Sequence, residues 1–144
     1  MAHRSPLVAL TAAATQMSRQ VESADALANR VAFLHANLGD PDFHRLALES
    51  SRRTLAGYRA LIDDAIAAGE LAPTDADRLA RSVHAVVDGS LVNWAVHRDG
   101  ALGAWMRDDL DALLAPHRRR DDPAPAPESA GPRPAAGPRA RHKL

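Results

Sequence analysis

Seven histidines are the side chains of this 144-residue sequence that could most readily bind a metal ion or exchange a proton near neutral pH. No two of them stand four residues apart with a glutamate between them, which is the spacing of a helical zinc site. His84 and Asp88 lie one helical turn apart and could share a ligand or a proton. Two ligands are too few for a metal site, and such a pair is more often a hydrogen bond on a helix surface. The sequence therefore predicts no metal site.

Residue patterns for covalent catalysis are also missing from the sequence. The chain contains no cysteine, so neither a thiol nucleophile nor a disulfide is possible. No serine stands in the Gly-x-Ser-x-Gly pattern of a nucleophile elbow, and no glycine-rich loop could bind a phosphate. These patterns favour a protein that is not an enzyme, with no catalytic residues and no cofactor.

The remaining candidate site is a small-molecule pocket between helices, which is mostly apolar with a few polar groups that orient the ligand. Phe33, Tyr58, His84 and Trp94 are the predicted ligand-binding residues, with His97 as a further candidate. His84 is the best polar candidate because it lies at the edge of the apolar face of its helix. The three aromatic residues are more often ordinary core than pocket wall. A pocket lined in this way predicts a small, largely apolar effector.

The composition favours helices over strands. Alanine occupies 31 positions and arginine accounts for 17 of the 18 basic residues, and both have high helix propensity. The five aromatic and few β-branched residues are too few for a β-sandwich or barrel. No apolar run approaches the roughly 20 residues of a membrane span. The N-terminal segment has a basic start but only a short apolar stretch, so we interpret it as a cytoplasmic helix and predict no membrane partner.

Apolar residues recur at steps of three and four along residues 7–115, which predicts an all-α, antiparallel bundle of about six helices. Asp40-Pro41 and Asp99-Gly100 are typical of helix boundaries. The predicted faces are Leu7 to Val21; Leu27, Val31, Leu34 and Leu38; a short helix with Phe43, Leu46 and Ala47; a longer one with Leu55, Tyr58, Ile62 and Ile66; a helix over 75–98, capped near Thr74; and Leu102, Met106, Leu110 and Leu113.

The zero net charge divides unevenly between two segments. Residues 1–116 carry 11 arginines and 15 acidic residues, whereas residues 117–144 carry seven basic and three acidic residues. The second segment also holds six of the ten prolines and one large apolar residue, so we predict that residues 117–144 are a disordered tail. This basic tail is a solvated extension or a weak contact for nucleic acid. The acidic body is a poor candidate for binding DNA.

The helix over 75–98 is apolar on two sides. Its first stripe contains Leu79, Val83, Val86, Val87, Leu91 and Trp94 and should face the bundle interior. Small and apolar residues form a second stripe, and the last helix also has apolar residues off its main stripe. These features favour a homodimer through a four-helix interface. The alternative is that a preceding helix covers the stripe within one protomer. The predicted interface residues are Ala85, Gly89, Val92, Val96, Trp105 and Ala112.

Several weak motifs in order carry a resemblance to a known family. They are Ala-Gly-Glu-Leu at 68–71, an Asp-led helix cap, Asp-Gly-Ser-Leu-x-x-Trp at 88–94, and Leu-Leu-x-Pro at 113–116. Residues 24–59, with the Gly-Asp-Pro-Asp turn, look like the preceding helices of the same family. Residues 7–116 thus resemble the C-terminal half of TetR-type transcriptional regulators.

This resemblance implies an effector-binding and dimerisation domain over residues 23–116. Residues 1–22 are similar to the helix that connects such a domain to an N-terminal helix-turn-helix, and the helix-turn-helix itself is absent from the sequence. No DNA-binding residue is therefore expected in this chain, and DNA would be bound only through a missing N-terminal domain.

Two explanations of the missing helix-turn-helix stay open. The chain is a truncated or late-start regulator, or it is a stand-alone helical dimerisation module that regulates a full-length partner. Translation of the DNA upstream of Met1 would separate the two. An open frame encoding a helix-turn-helix supports the first, and an in-frame stop codon close to Met1 supports the second.

Overall fold

The computed structural model describes residues 4–21 and 23–120. Within these residues there is no β-strand, so the predicted all-α bundle is confirmed. Short 3₁₀ turns follow the first and last helices, at Gln16–Arg19 and Ala115–His117. The five helices are α1 (Pro6–Thr15), α2 (Ala24–Asn37), α3 (Pro41–Ala67), α4 (Ala76–His97) and α5 (Leu102–Leu114).

Side-chain caps begin four of these helices, because the first N–H groups of a helix have no partner within it. Each cap accepts a hydrogen bond of 2.8–3.2 Å from the backbone N–H three residues later. Proline at the first helical position of α1 and α3 also favours the start of each helix, because its ring fixes φ near the helical value. The cap of α4 is one residue later than the predicted Thr74. The four caps are Ser5, Ser23, Asp40 and Asp75.

The third helix differs from the prediction of a short helix followed by a longer one. Residues Pro41–Ala67 form one continuous helix of 27 residues. No glycine or proline separates the two predicted segments, so the backbone hydrogen bonds continue through them. Arg53 and Glu49 pair at 3.1 Å across one turn of the joining stretch. The bundle therefore has five α-helices rather than about six.

The core lies between α1, the C-terminal half of α3, α4 and α5. Leu10, Ile62, Val83 and Met106 are each completely buried there, one from each of these helices. The predicted inner stripe of α4 is buried at Leu79, Val83, Val87 and Leu91 and partly buried at Val86 and Trp94. The three-and-four spacing on α4 therefore predicted the inward face correctly.

The second helix is less buried than predicted. Of its apolar face only Leu27 enters the core, whereas Val31, Leu34 and Leu38 are exposed. Among the described helices α2 packs mainly against α4, and its C-terminal half is not enclosed by the bundle. An apolar face identifies residues that share a side of a helix, but burial also requires a neighbouring element to cover that side.

The segment after α5 is held to the loop that follows α3. The backbone N–H of Ala72 donates to the His117 carbonyl at 2.9 Å, and the N–H of Arg119 donates to the Glu70 carbonyl at 3.1 Å. The predicted disordered tail therefore begins too early at 117, since these backbone groups find partners in the loop. Residues 121–144, the rest of the predicted tail, lie outside the described residues.

Candidate functional site

A cleft of about 740 Å³ lies between α1, α3 and α4 and is called the central cleft below. Its walls are mostly apolar. Its polar groups come from α3, which includes Arg53, from α4, and from Gln16 and Gln20 in the turn after α1. Two residues predicted to bind a ligand, Tyr58 and His84, both line it. The apolar wall includes Ala13, Ala14, Met17, Leu34, Leu61 and Val87.

Tyr58 on α3 lies opposite two polar side chains of α4, His84 and Asp88, in the central cleft. Tyr58 of α3 is buried, and its ring centroid lies 6.3 Å from that of His84 on α4. Asp88 follows His84 by one helical turn, with 3.8 Å between His84 Nε2 and Asp88 Oδ2. A phenol, an imidazole and a carboxylate therefore converge on a largely apolar space, where they can orient a small ligand by hydrogen bonds.

The environment of Tyr58 favours its neutral form. Burial raises the pKa of the Tyr58 phenol above its ordinary value, because the phenolate would lose hydration. The negative charge of Asp88 raises this pKa further. The neutral phenol keeps an O–H that can donate to a ligand at every pH below the alkaline range.

Replacing Asp88 with asparagine is expected to lower the pKa of Tyr58 towards its ordinary value, since one of the two causes of the shift is removed. Tyr58 is the only tyrosine in the chain, so the ultraviolet absorbance of tyrosinate reports on this group alone. Asp64→Asn, an exposed position on the same helix as Tyr58, is the control and should leave the titration unchanged. Identical titration curves for Asp88→Asn and the unsubstituted protein would contradict the assignment.

The same shift makes stability depend on pH in the alkaline range. A raised folded-state pKa means that the folded protein holds the phenol proton more tightly than the unfolded chain. The stabilisation by Tyr58 is therefore fully present below the unfolded value of about 10 and is lost as the pH rises through the folded-state pKa.

A second, more apolar cleft of about 620 Å³ adjoins the central cleft and is called the side cleft. Phe33 of α2 and Phe43 of α3 meet in it edge to face, with ring centroids 5.6 Å apart. Met17, Leu34 and Asp88 line both clefts and form the boundary between them. The side cleft thus extends the apolar space away from Tyr58 and His84.

The outer stripe of α4 lies on the surface of the chain. Ala85 and Val92 are exposed, and Val96 is 74% exposed. A Cβ placed on Gly89 would meet no atom within 4 Å. Ala112 of α5 is exposed as well. Gly89 is partly buried, and Val92 lines the side cleft beside residues of α2, so the preceding helix reaches one end of this stripe.

The described residues contain no group of three or more side chains suited to hold a metal ion. Among the helices in the described ranges, none is long and apolar enough to cross a membrane.

A comparison with family models identifies residues 8–119 as the C-terminal domain of BetI-type transcriptional repressors. The chain belongs to this family. The match covers most of the described bundle and confirms the resemblance to TetR-type regulators. No significant match was found among curated proteins or solved structures. Membership makes the chain a domain of transcriptional regulators, a family that is not typically enzymatic.

The BetI-type domain brings some of the predicted ligand-binding residues together and separates others. Tyr58 and His84 share the central cleft, while Phe33 lies in the side cleft. Trp94 is partly buried near the turn after α4, where its indole Nε1 donates to the Gly100 carbonyl at 3.2 Å. The His97 ring packs against that of Trp105 at a tilt of 34°, with centroids 5.4 Å apart, and His97 lines neither cleft.

Several cleft residues of the BetI-type domain were not among the predicted site residues. Asp88 was considered only as a partner of His84, although it lines both clefts and raises the pKa of Tyr58. Met17, Leu34 and Phe43 looked like ordinary core residues because their spacing is that of an apolar helix face. Leu34 is exposed in the structure, unlike a core residue. Its spacing could not indicate this, because exposure depends on which other helices pack against it.

Proposed function

We propose that this BetI-type domain regulates transcription by binding a small, largely apolar effector and by forming a homodimer. The observation that carries the proposal is the central cleft, in which apolar walls surround a converging phenol, imidazole and carboxylate. Ligand pockets commonly combine extensive apolar lining with a few orienting polar groups. The volume of about 740 Å³ is within the range of small-molecule pockets.

The position of α1 allows a ligand in the central cleft to influence the rest of a regulator. Ala13, Ala14 and Met17, from α1 and the turn after it, line the central cleft. We propose that residues 1–22 act as a connecting helix and residues 23–116 as the effector-binding and dimerisation domain. A ligand that favours one position of α1 over another would shift the population of that position. DNA would be contacted by a separate DNA-binding domain, since residues 1–116 carry more acidic than basic residues.

The outer faces of α4 and α5 support the homodimer. These two helices pack extensively against each other, and α4 leaves Ala85, Val92 and Val96 of its outer stripe exposed. Small residues on the stripe allow a second helix to approach closely. The same pair of helices from a second copy would complete a four-helix interface with two-fold symmetry.

Gly57→Phe tests the central cleft. Gly57 lines the cleft, and an added Cβ meets no atom within 4 Å, so the phenyl ring can enter the space without disturbing the helix backbone. Nile red, a neutral apolar dye whose fluorescence rises in apolar surroundings, serves as the probe. We expect the dye to bind the unsubstituted protein and to bind Gly57→Phe at least about tenfold more weakly, because the ring occupies volume that the dye needs.

Ala60→Phe is the matched control for this experiment. Ala60 is exposed on the same helix and does not line the central cleft. Dye binding should be the same in this variant as in the unsubstituted protein. Equal dye affinity in Gly57→Phe and Ala60→Phe would count against the central cleft as the effector site.

A further inference from the structure

A third groove, of about 620 Å³, runs between α1 and α5 and shares no lining residue with the central or side cleft. We call it the arginine groove, because four guanidinium groups line it together with two carboxylates. Its apolar lining comes from α1, chiefly Leu7, Val8 and Ala12. The four arginines are Arg19, Arg107, Arg118 and Arg119, and the carboxylates are Glu70 and Asp111.

Both carboxylates of the arginine groove are engaged by partners within the fold. Glu70 Oε2 accepts the backbone N–H of Leu7 at 2.9 Å, and Asp111 Oδ1 accepts Arg118 Nη2 at 3.0 Å. Among the described residues, Arg19, Arg107 and Arg119 form no ion pair, although acidic residues outnumber arginines in residues 1–116. The groove therefore concentrates positive charge on an otherwise acidic domain.

The arginines fall at two ends of the groove. A Cβ built on Gly103 would lie 3.3 Å from Ser18 Oγ and 3.4 Å from Arg107 Nη1, so Arg107 reaches the end that holds Ser18 and Arg19. At the other end Arg119 Nη1 would lie 3.3 Å from a Cβ on Gly69, which places it beside the Glu70 segment. Glu70 binds the Leu7 N–H and Asp111 pairs with Arg118. Neither carboxylate pairs with Arg19 or Arg107, and these two arginines have no ion-pair partner among the described residues.

The stretch between these ends is apolar and offers few free donors. Val8 is 59% exposed and Ala12 is also exposed, so both are accessible to a ligand. The Thr15 hydroxyl donates to the Thr11 carbonyl of its own helix at 2.8 Å. An exposed apolar track that ends at two guanidinium groups matches an amphipathic acid, because arginine binds carboxylates through several N–H donors at once.

We propose that the arginine groove binds a small amphipathic carboxylic acid. Its carboxylate lies between Arg19 and Arg107, and its apolar body lies along Val8 and Ala12. The bound acid joins α1 and the turn after it to α5. This site is separate from the central cleft and takes a charged rather than a neutral ligand.

Sodium octanoate is the probe for this site, and 1-octanol is the neutral molecule of matched chain length. Binding is measured by isothermal titration calorimetry and by amide chemical shifts. We expect octanoate to bind the unsubstituted protein at least about tenfold more tightly than octanol, since only the carboxylate can pair with the guanidinium groups. The shifts should centre on α1 and α5.

The double variant Arg19→Gln with Arg107→Gln is expected to weaken octanoate binding at least about tenfold, because both charged contacts are lost. Arg52→Gln with Arg78→Gln removes the same charge from exposed positions that line none of the three cavities, and it should bind octanoate like the unsubstituted protein. Gly57→Phe should also leave octanoate binding unchanged, whether or not the central cleft proves to be the effector site.

Four results would overturn the proposal. They are no octanoate binding to the unsubstituted protein, equal affinity for octanol and octanoate, equal loss in the two double variants, and loss of octanoate binding in Gly57→Phe. The last result would place the acid in the central cleft. Circular dichroism of each variant confirms that the fold is retained.

Discussion

Replacing Gly89 and Val92 together with glutamate is expected to convert the proposed homodimer into monomers. In a two-fold interface each substitution occurs twice, so four carboxylates would be brought together in a space from which water is excluded. Breaking the interface in this way costs about 4 kcal/mol or more, which raises the dimer dissociation constant about a thousandfold. Light scattering at micromolar protein concentration measures the result.

The fold of the protomer should survive these two substitutions. A Cβ on Gly89 meets no atom within 4 Å, and Val92 is partly exposed, so both glutamates can reach water in the monomer. Ala56→Glu with Ala60→Glu adds the same charge to exposed positions one turn apart on α3 and should leave the dimer intact. A Gly89→Glu, Val92→Glu protein that remains dimeric at micromolar concentration would show that the interface lies elsewhere.

Met106→Ala is expected to cause a large loss of protomer stability, larger than that of the same truncation at a partly exposed methionine. Met106 is completely buried in the core on α5, and truncation leaves a cavity that its neighbours can fill only in part. The expected decrease in the free energy of unfolding is about 2–5 kcal/mol, against a total of about 5–15 kcal/mol for a domain of this kind. Urea denaturation followed by circular dichroism measures it, at one fixed protein concentration because dimerisation contributes to stability.

Two variants serve as controls for this substitution. Met106→Leu nearly conserves side-chain volume and should cost less than about 1.5 kcal/mol. Met17→Ala makes the same truncation at a position that is 36% exposed, so less apolar surface returns to water and a smaller effect is expected. An equal loss of stability in Met17→Ala and Met106→Ala would contradict the assignment of Met106 to the centre of the core.

The boundaries of the helices follow from local patterns. Asp40-Pro41 begins α3, and the Gly69 that follows this helix adopts a positive φ of 75°, a conformation that favours glycine. Gly100, with a φ of 64°, lies in the turn between α4 and α5. Capping and turn formation involve groups only a few residues apart, so the residue types at those positions indicate them without knowledge of the fold.

The grouping of the helices could not be predicted in the same way. The spacing of Val31, Leu34 and Leu38 indicated a shared face, but that face is exposed because α2 is covered along only part of its length. The spacing of apolar residues predicted a short helix around Phe43 to Ala47 followed by a longer one from about Leu55, whereas the structure has one continuous helix over Pro41–Ala67. In both cases the outcome depends on neighbours that are distant in the sequence.

For the candidate sites too, the sequence predicted the features that depend on neighbouring residues but not those that depend on how the helices pack. Sequence alone was sufficient for the all-α fold, the inner stripe of α4 and the family resemblance, since these depend on periodicity and on short motifs. Tertiary structure decided that Tyr58, His84 and Asp88 meet in one cleft and that Trp94 stays outside it. It also decided that Arg19 and Arg107, from opposite ends of the folded chain, share a groove. The physical reason is that a cleft forms where packed helices leave space between them, and that space depends on how every pair of helices fits together.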